Sequence, residues 1–193
     1  MSGQAARPGW LRQLPNSLST ARLLAVPVLA ALAYTDREAA FTCLLIPALL
    51  TDIADGLIAR VFHLESRLGA MLDTVADTGL LVVALYGVWV FHPEVLQGHP
   101  WLCGTAVALW LLEDLAALAR YGRLSSFHTY SSKLVANLLG FFVGWLFLFG
   151  FEPWMLHVAA GASILASLEE LLLIALLPRW RADVRGLWWV LRV

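Results

Sequence analysis

Six stretches of about twenty mostly apolar residues constrain this chain more than any other feature. They run approximately over 17–35, 39–61, 68–91, 101–119, 134–151 and 154–177, joined by short connections. Each is long enough for a helix to cross a hydrocarbon core about 30 Å thick. Inside lipid the backbone must satisfy its own hydrogen bonds, which leaves helices or closed barrels. Runs of this length suit helices. The expected fold class is therefore all-α, an integral membrane bundle of six transmembrane helices with an N-terminal interfacial segment. Composition agrees: 60% of the 193 residues are hydrophobic and 14% charged, against about half and about a quarter in soluble domains.

Arg7 and Arg12 precede LLAVPVLAALAY, the outline of a signal peptide. Apolar runs continue to the C-terminus, however, so the first run reads as a retained helix. One membrane domain over 1–193 is expected: an interfacial segment at 1–16, six helices within 17–177, and a cytoplasmic or interfacial tail at 178–193. GWLRQLPNSLS and RWRADVRGLWWVLRV mix Trp, Leu and Arg as segments lying on a membrane surface do. The nine Trp fall mostly near span ends, as in an aromatic belt.

The net charge of −1 implies no bulk attraction to nucleic acid. Cys43 and Cys103 form neither a disulfide framework nor a zinc pattern and are expected as buried thiols. Lys and Arg placement sets topology. Arg7, Arg12, Arg60, Arg67, Arg120, Arg123, Lys133, Arg179, Arg181, Arg185 and Arg192 fall on one side, and only Arg37 on the other. This predicts a multi-pass protein of a bacterial-type inner membrane, with both termini and the loops after helices 2 and 4 cytoplasmic.

Against that apolar background, residues 52–77 read DIADGLIARVFHLESRLGAMLDTVAD. Asp52 and Asp55 are spaced i,i+3, and Asp73 and Asp77 i,i+4, so on helices each pair shares a face. The HLES turn lets helices 2 and 3 return antiparallel, and both pairs can meet at one depth near the cytoplasmic ends. Gly56 and Gly69 are small where backbones or a ligand come close. Four carboxylates so crowded repel, and a divalent cation relieves that repulsion. Carboxylate-only ligands favour Mg²⁺, Mn²⁺ or Ca²⁺ over zinc. Paired metals commonly serve phosphoryl transfer. Intramembrane acids are functional by default, and four at this spacing outweigh a reading as helix caps.

The string Asp52-x-x-Asp55-Gly56-x-x-Ala59-Arg60, eight residues, then Gly69-x-x-x-Asp73-x-x-x-Asp77 resembles the signature of the CDP-alcohol phosphatidyltransferases, with all eight signature residues present. LPNSLSTARLLAVPVLA also resembles the family's first helix, with Pro15, Asn16, Arg22 and Pro27 in familiar places. The resemblance implies transfer of a phospho-group from a CDP-linked lipid donor to a small alcohol acceptor, with release of CMP. It assigns Asp52, Asp55 and Asp73 to Mg²⁺ or Mn²⁺, as two ions, and Asp77 to the catalytic base, with a share in metal binding. Asp52, Gly56, Ala59, Arg60 and Gly69 would shape the CDP site. The chemistry agrees: a diphosphate needs its charge neutralised, a guanidinium grips phosphate bidentately, and an alcohol needs a base within hydrogen-bond reach.

Helix 4 carries LLEDLAALARYGR, in which Glu113 and Arg120 share a face. Phosphatidylglycerophosphate synthases of this family show a similar acid and arginine, and often a lysine near Lys133. Arg120 and Lys133 could then bind an acceptor phosphate, with Glu113 holding Arg120. Two departures stand against this: Leu112 where those enzymes place an arginine, and Thr78 where they tend to have lysine. Ordinary positive-inside charge weighs about equally. His128 reads as a solvated loop histidine. Glu169 and Glu170 either pair with Arg22 or another helix's cation or line the acceptor cavity, and structural pairing is favoured. Gly140 and Gly144 in helix 5 offer either a homodimer seam or internal packing.

The reading that results is transfer from CDP-diacylglycerol to glycerol 3-phosphate, in phospholipid biosynthesis. Serine, inositol phosphate or phosphatidylglycerol as acceptor, or CDP-choline with diacylglycerol, remain within the family. A divalent-cation transporter is the alternative class. It would place the acids at the midplane between broken helices, not beside an ADGxxAR turn at the helix ends.

Overall fold

A computed structural model describes residues 9–62, 67–122, 129–177, 184 and 186–190, with the side chains of 9–16, 18 and 52–74 outside the description. The described residues form eight helices and no strand: α1 (Gly9–Tyr34), α2 (Glu38–Phe62), α3 (Arg67–Phe91), α4 (Pro93–Gly98), α5 (Pro100–Tyr121), α6 (Tyr130–Phe149), α7 (Pro153–Leu176) and α8 (Leu187–Val190). They cluster into two compact units, Met1–Pro93 and Glu94–Val193.

In the first unit α1 is the packing centre. It meets α3 most extensively and α2 next, while α2 and α3 touch each other far less. Its buried stripe is Ser19, Arg22, Leu29 and Ala33, the 3- and 4-residue spacing of one helical face. Phe41, Leu45 and Ala48 answer from α2, and Ala76, Leu80, Val83, Ala84 and Val88 from α3. Asp52 and Asp55 continue the 4-and-3 spacing of the α2 stripe. Asp77 lies one residue from Ala76 and three from Leu80, at the edge of the α3 stripe. The α3 seam thus ends beside Asp77. At the other end Phe41 and Phe91 pack at 5.4 Å between ring centroids. A Cβ on Gly87 would lie 2.3 Å from Phe41 Cζ, so only glycine admits that ring. His92 Nε2 lies 3.5 Å from Glu38 Oε1.

In the second unit α7 is central, packing on α5, α6 and α8. It buries Met155, Leu156, Ala159, Ala160, Ala166, Ser167, Glu170, Leu173 and Ile174. Helix boundaries follow local chemistry. Pro100 and Pro153 open α5 and α7, where a missing N–H costs nothing. Thr129 caps α6 by accepting the Ser132 N–H at 3.1 Å. Gly122 ends α5 in the left-handed conformation, φ 68°, its N–H donating to the Leu118 carbonyl at 2.8 Å. Val184 is buried with Ala117, Leu173 and Ile174, and Leu187 and Val190 pack against them. Tyr121 Oη donates to the Leu177 carbonyl at 2.8 Å, closing the end of α7.

The helices are those of a membrane bundle. Helices α5, α6 and α7 are long and apolar enough to cross a membrane. In the first unit α1, α2 and α3 have 26, 25 and 25 residues, and their described stretches Ser19–Tyr34, Glu38–Thr51 and Val75–Phe91 are apolar. Leu24, Leu50, Val82, Leu111, Leu115 and Leu165 are exposed, as lipid-facing positions are in a bilayer. Trp101 and Trp154 mark one end of the second unit and Trp188 and Trp189 the other, consistent with aromatic belts.

Residues 9–16 are helical and continuous with α1; residues 1–8 lie outside the description. One expectation needs correcting. The cysteines are not buried: Cys43 is exposed and Cys103 half-buried. Cys43 lies two residues from buried Phe41 and from buried Leu45, so it points away from the stripe that packs on α1 and α3.

Candidate active site on the ends of α2 and α3

The helical backbone of α2 and α3 carries all four aspartates, Asp52 and Asp55 on α2 and Asp73 and Asp77 on α3. The two helices flank the four residues 63–66. Of the four carboxylates only that of Asp77 lies within the described side chains; those of Asp52, Asp55 and Asp73 lie outside, as do Gly56, Ala59, Arg60 and Gly69. Among the described residues no group of three or more His, Cys, Asp or Glu is placed to hold a metal ion.

Asp77 is held by an ion pair. Arg22 of α1 donates from Nη1 to Asp77 Oδ1. The arginine side chain is wholly buried, while 44% of the Asp77 side chain is exposed. Taking a guanidinium out of water costs several kcal/mol or more. A short charge-assisted hydrogen bond to a carboxylate offsets part of that cost. The pair sits where α1 and α3 approach closely, since a Cβ on Gly79 would lie 3.2 Å from Val26 Cγ2. Gly79 is two residues beyond Asp77, and Val26 one turn beyond Arg22. This close approach fixes the register that brings the guanidinium to the carboxylate.

The second unit carries its own buried acids. Glu113 on α5 accepts a hydrogen bond from Ser167 on α7 and has Glu170 and Asp114 nearby. Its Oε2 is buried with no hydrogen-bond partner among the described residues. Glu170 accepts from Ser132, and Thr129 Oγ1 lies 3.5 Å away. Glu169 accepts from Ser131 and, at 2.8 Å, from the Leu187 N–H. These bonds tie the start of α6 and the C-terminal segment to α7.

The structure departs here from two expectations. Arg22 pairs with Asp77, and the described partners of Glu169 are a hydroxyl and a backbone N–H, not a cation. Glu113 and Arg120 form no described ion pair: Glu113 is buried against Ser167, whereas Arg120 is exposed with its guanidinium 5.9 Å from the Tyr121 ring centroid. Seven residues put both on one face in sequence, but two helical turns separate a buried level from the helix end. Arg120 and Lys133 are both exposed, at the end of α5 and the start of α6. His128 lies outside the described residues. The Arg22–Asp77 partnership went unread in the sequence, although Ser19, Arg22, Leu29 and Ala33 form a stripe that already puts the arginine on the packed face.

Helices long and apolar enough to span a bilayer, two of which carry four aspartates along their backbone, define a membrane-helix protein. A family model described as CDP-alcohol phosphatidyltransferase matches residues 12–175. The chain belongs to that family. It is 42% identical over 134 residues to the Arabidopsis thaliana protein named CDP-diacylglycerol–glycerol-3-phosphate 3-phosphatidyltransferase 2, covering 66% of this chain and 57% of the relative. It is 43% identical over 93 residues to a Cereibacter sphaeroides protein of the same activity name, covering 46% of this chain and 40% of the relative. The chain thus spans about half the length of these two curated relatives. A Mycobacterium tuberculosis protein named provisionally as a cardiolipin synthase is 28% identical over 191 residues, with 86% of each chain covered. No solved structure matches significantly.

Proposed function

We propose that this protein transfers the phosphatidyl group of CDP-diacylglycerol to glycerol 3-phosphate and releases CMP, a step of phospholipid biosynthesis. The observation that carries the reading is the complete set of four aspartates on α2 and α3 within a chain of this family. The acceptor is supported by the two relatives named for glycerol 3-phosphate.

In this reading Asp77 takes the proton of the acceptor hydroxyl. The acceptor oxygen bonds to the phosphatidyl phosphorus, the bond from that phosphorus to the CMP oxygen breaks, and CMP leaves as an anion. Asp77 suits a base because it is partly exposed while its position is fixed by Arg22. Asp52, Asp55 and Asp73, with Asp77, would supply an all-oxygen donor set of the kind that suits Mg²⁺ or Mn²⁺; such ions would neutralise the diphosphate and the leaving phosphate. Arg60 grips a phosphate of the donor, with Asp52, Gly56, Ala59 and Gly69 shaping the nucleotide site. Arg120 and Lys133 offer exposed cations to the acceptor phosphate. Topology from Lys and Arg placement puts this site and both termini on the cytoplasmic side of an inner membrane, where soluble nucleotides and glycerol 3-phosphate are found.

A second acceptor has specific support. The match to the mycobacterial protein named provisionally as a cardiolipin synthase covers 86% of each chain, and phosphatidylglycerol is the acceptor whose reaction with CDP-diacylglycerol would yield cardiolipin. One experiment separates the two. Purified protein is given CDP-diacylglycerol, Mn²⁺ and either acceptor, and CMP and lipid product are measured. Product from glycerol 3-phosphate alone supports the main reading, and product from phosphatidylglycerol alone replaces it with the second. CMP release that persists in excess chelator would remove the metal assignment.

A further inference from the structure

We infer that Arg22, on a helix that carries none of the signature residues, is a positioning residue that sets the carboxylate of Asp77 for proton transfer. The inference rests on the reading of Asp77 as the base. Its own support is geometric. The guanidinium donates to Asp77 Oδ1 across the α1–α3 interface. The arginine side chain has no exposed area, whereas the aspartate keeps 44% of its own. A side chain with no exposed surface cannot meet a substrate from where it stands, so its effect on chemistry passes through the groups it touches, Asp77 among them. The exposed part of Asp77 is what remains to reach an alcohol.

The setting favours this role over simple charge balance. An aspartate has two side-chain torsions, and on a half-exposed helix face more than one staggered rotamer is open to it. A hydrogen bond from a buried planar donor selects one of them. The donor is itself held, because Arg22 lies on the stripe Ser19, Arg22, Leu29 and Ala33 that α1 buries. The helix–helix approach at Val26 and Gly79 fixes the level at which the two side chains meet. Displacing a catalytic group by about 1 Å can cost about a hundredfold in rate.

The test uses the full-length protein in lipid nanodiscs, with CDP-diacylglycerol, Mn²⁺ and whichever acceptor supports turnover. Arg22→Gln is expected to lower kcat about a hundredfold, leave the KM for both substrates within about threefold, and leave Mn²⁺-dependent CDP binding intact. Arg22→Lys, which keeps the charge, should recover part of kcat, and it covers the case in which the glutamine variant fails to fold. Asp77→Asn should lower turnover at least as far. The double variant should be no slower than Asp77→Asn alone, because a residue acting only through Asp77 loses its effect once Asp77 is disabled. Wild-type kcat in Arg22→Gln, beside an inactive Asp77→Asn, overturns the positioning role and leaves the base in place. A further loss in the double variant overturns it as well, since Arg22 would then act on something else. Full activity in Asp77→Asn removes the base itself, a failure distinguishable from the other two.

Discussion

Acids at helix–helix interfaces occur in both units of this protein, and they are stabilised by different means. In the first unit Asp77 meets a wholly buried guanidinium and stays half exposed. In the second, Glu170 is buried and accepts from Ser132 and Thr129, and Glu169 accepts from Ser131 and the Leu187 N–H. A carboxylate that keeps exposed surface beside a fixed cation is arranged to meet something from outside. A carboxylate enclosed by hydroxyls from a neighbouring helix is arranged to join helices. The contrast predicts that acids of the first unit control rate and acids of the second control stability.

The largest effect should come from Asp77→Asn. General acid–base catalysis is worth about 10²–10⁴ in rate, so turnover should fall by at least that range. CDP binding in Mn²⁺, read by a thermal shift, should remain. If rate and nucleotide binding fall together, Asp77 belongs to the metal set more than to proton transfer, and the first half of the contrast loses its meaning.

Arg120→Ala sharpens the comparison from the second unit. Its exposed cation is expected to serve a phosphorylated acceptor, so the KM for glycerol 3-phosphate should rise about tenfold, roughly the value of one exposed charge-assisted contact. The kcat should hold. An unchanged KM with every acceptor would return Arg120 to plain positive-inside charge and leave the second unit structural throughout.

Much of this was legible in sequence because the strongest signals are periodic. Helices α1 to α3 and α5 to α7 follow from apolar runs, and the acid spacing maps onto α2 and α3 because it repeats every three or four residues. What sequence could not supply was partner choice. Arg22 could have met any acid within the apolar runs, and from sequence Glu169 and Glu170 were as available as Asp77. The choice depends on which helices pack, and α1 packs on α3. The pairing of Glu113 with Arg120 failed for a related reason. Helical spacing gives a shared face but not depth, and burial separated the two. The short α4 and the docking of Val184 through α8 have too little periodic sequence to announce themselves.

Glu170→Ala tests the second half of the contrast. It removes the acceptor of Ser132 and the neighbour of Thr129, which has no exposed area. Leaving a buried polar group unsatisfied costs about 1–3 kcal/mol, so thermal stability should drop while turnover per folded molecule holds. Lost turnover at unchanged stability would place Glu170 in a substrate path and erase the distinction between the units.

The smallest effect is expected at Gly186. Its φ of 149° is one that residues with a Cβ rarely adopt, and a Cβ there would lie 2.8 Å from Glu169 Oε1. Glu169 cannot simply swing aside, because the same carboxylate holds Ser131 and the Leu187 N–H. Gly186→Ala must therefore strain the backbone or break that tie, at a cost of about 1–3 kcal/mol. The cost should fall on the docking of α8 and leave the spanning helices intact, since α8 has only four residues and meets the bundle through α7. The expected signature is faster tryptic cleavage at Arg185, with little change in the midpoint of global unfolding. Equal cleavage in both proteins would mean that Glu169 does not hold the tail, and its carboxylate would then need the functional explanation that the second unit otherwise does without.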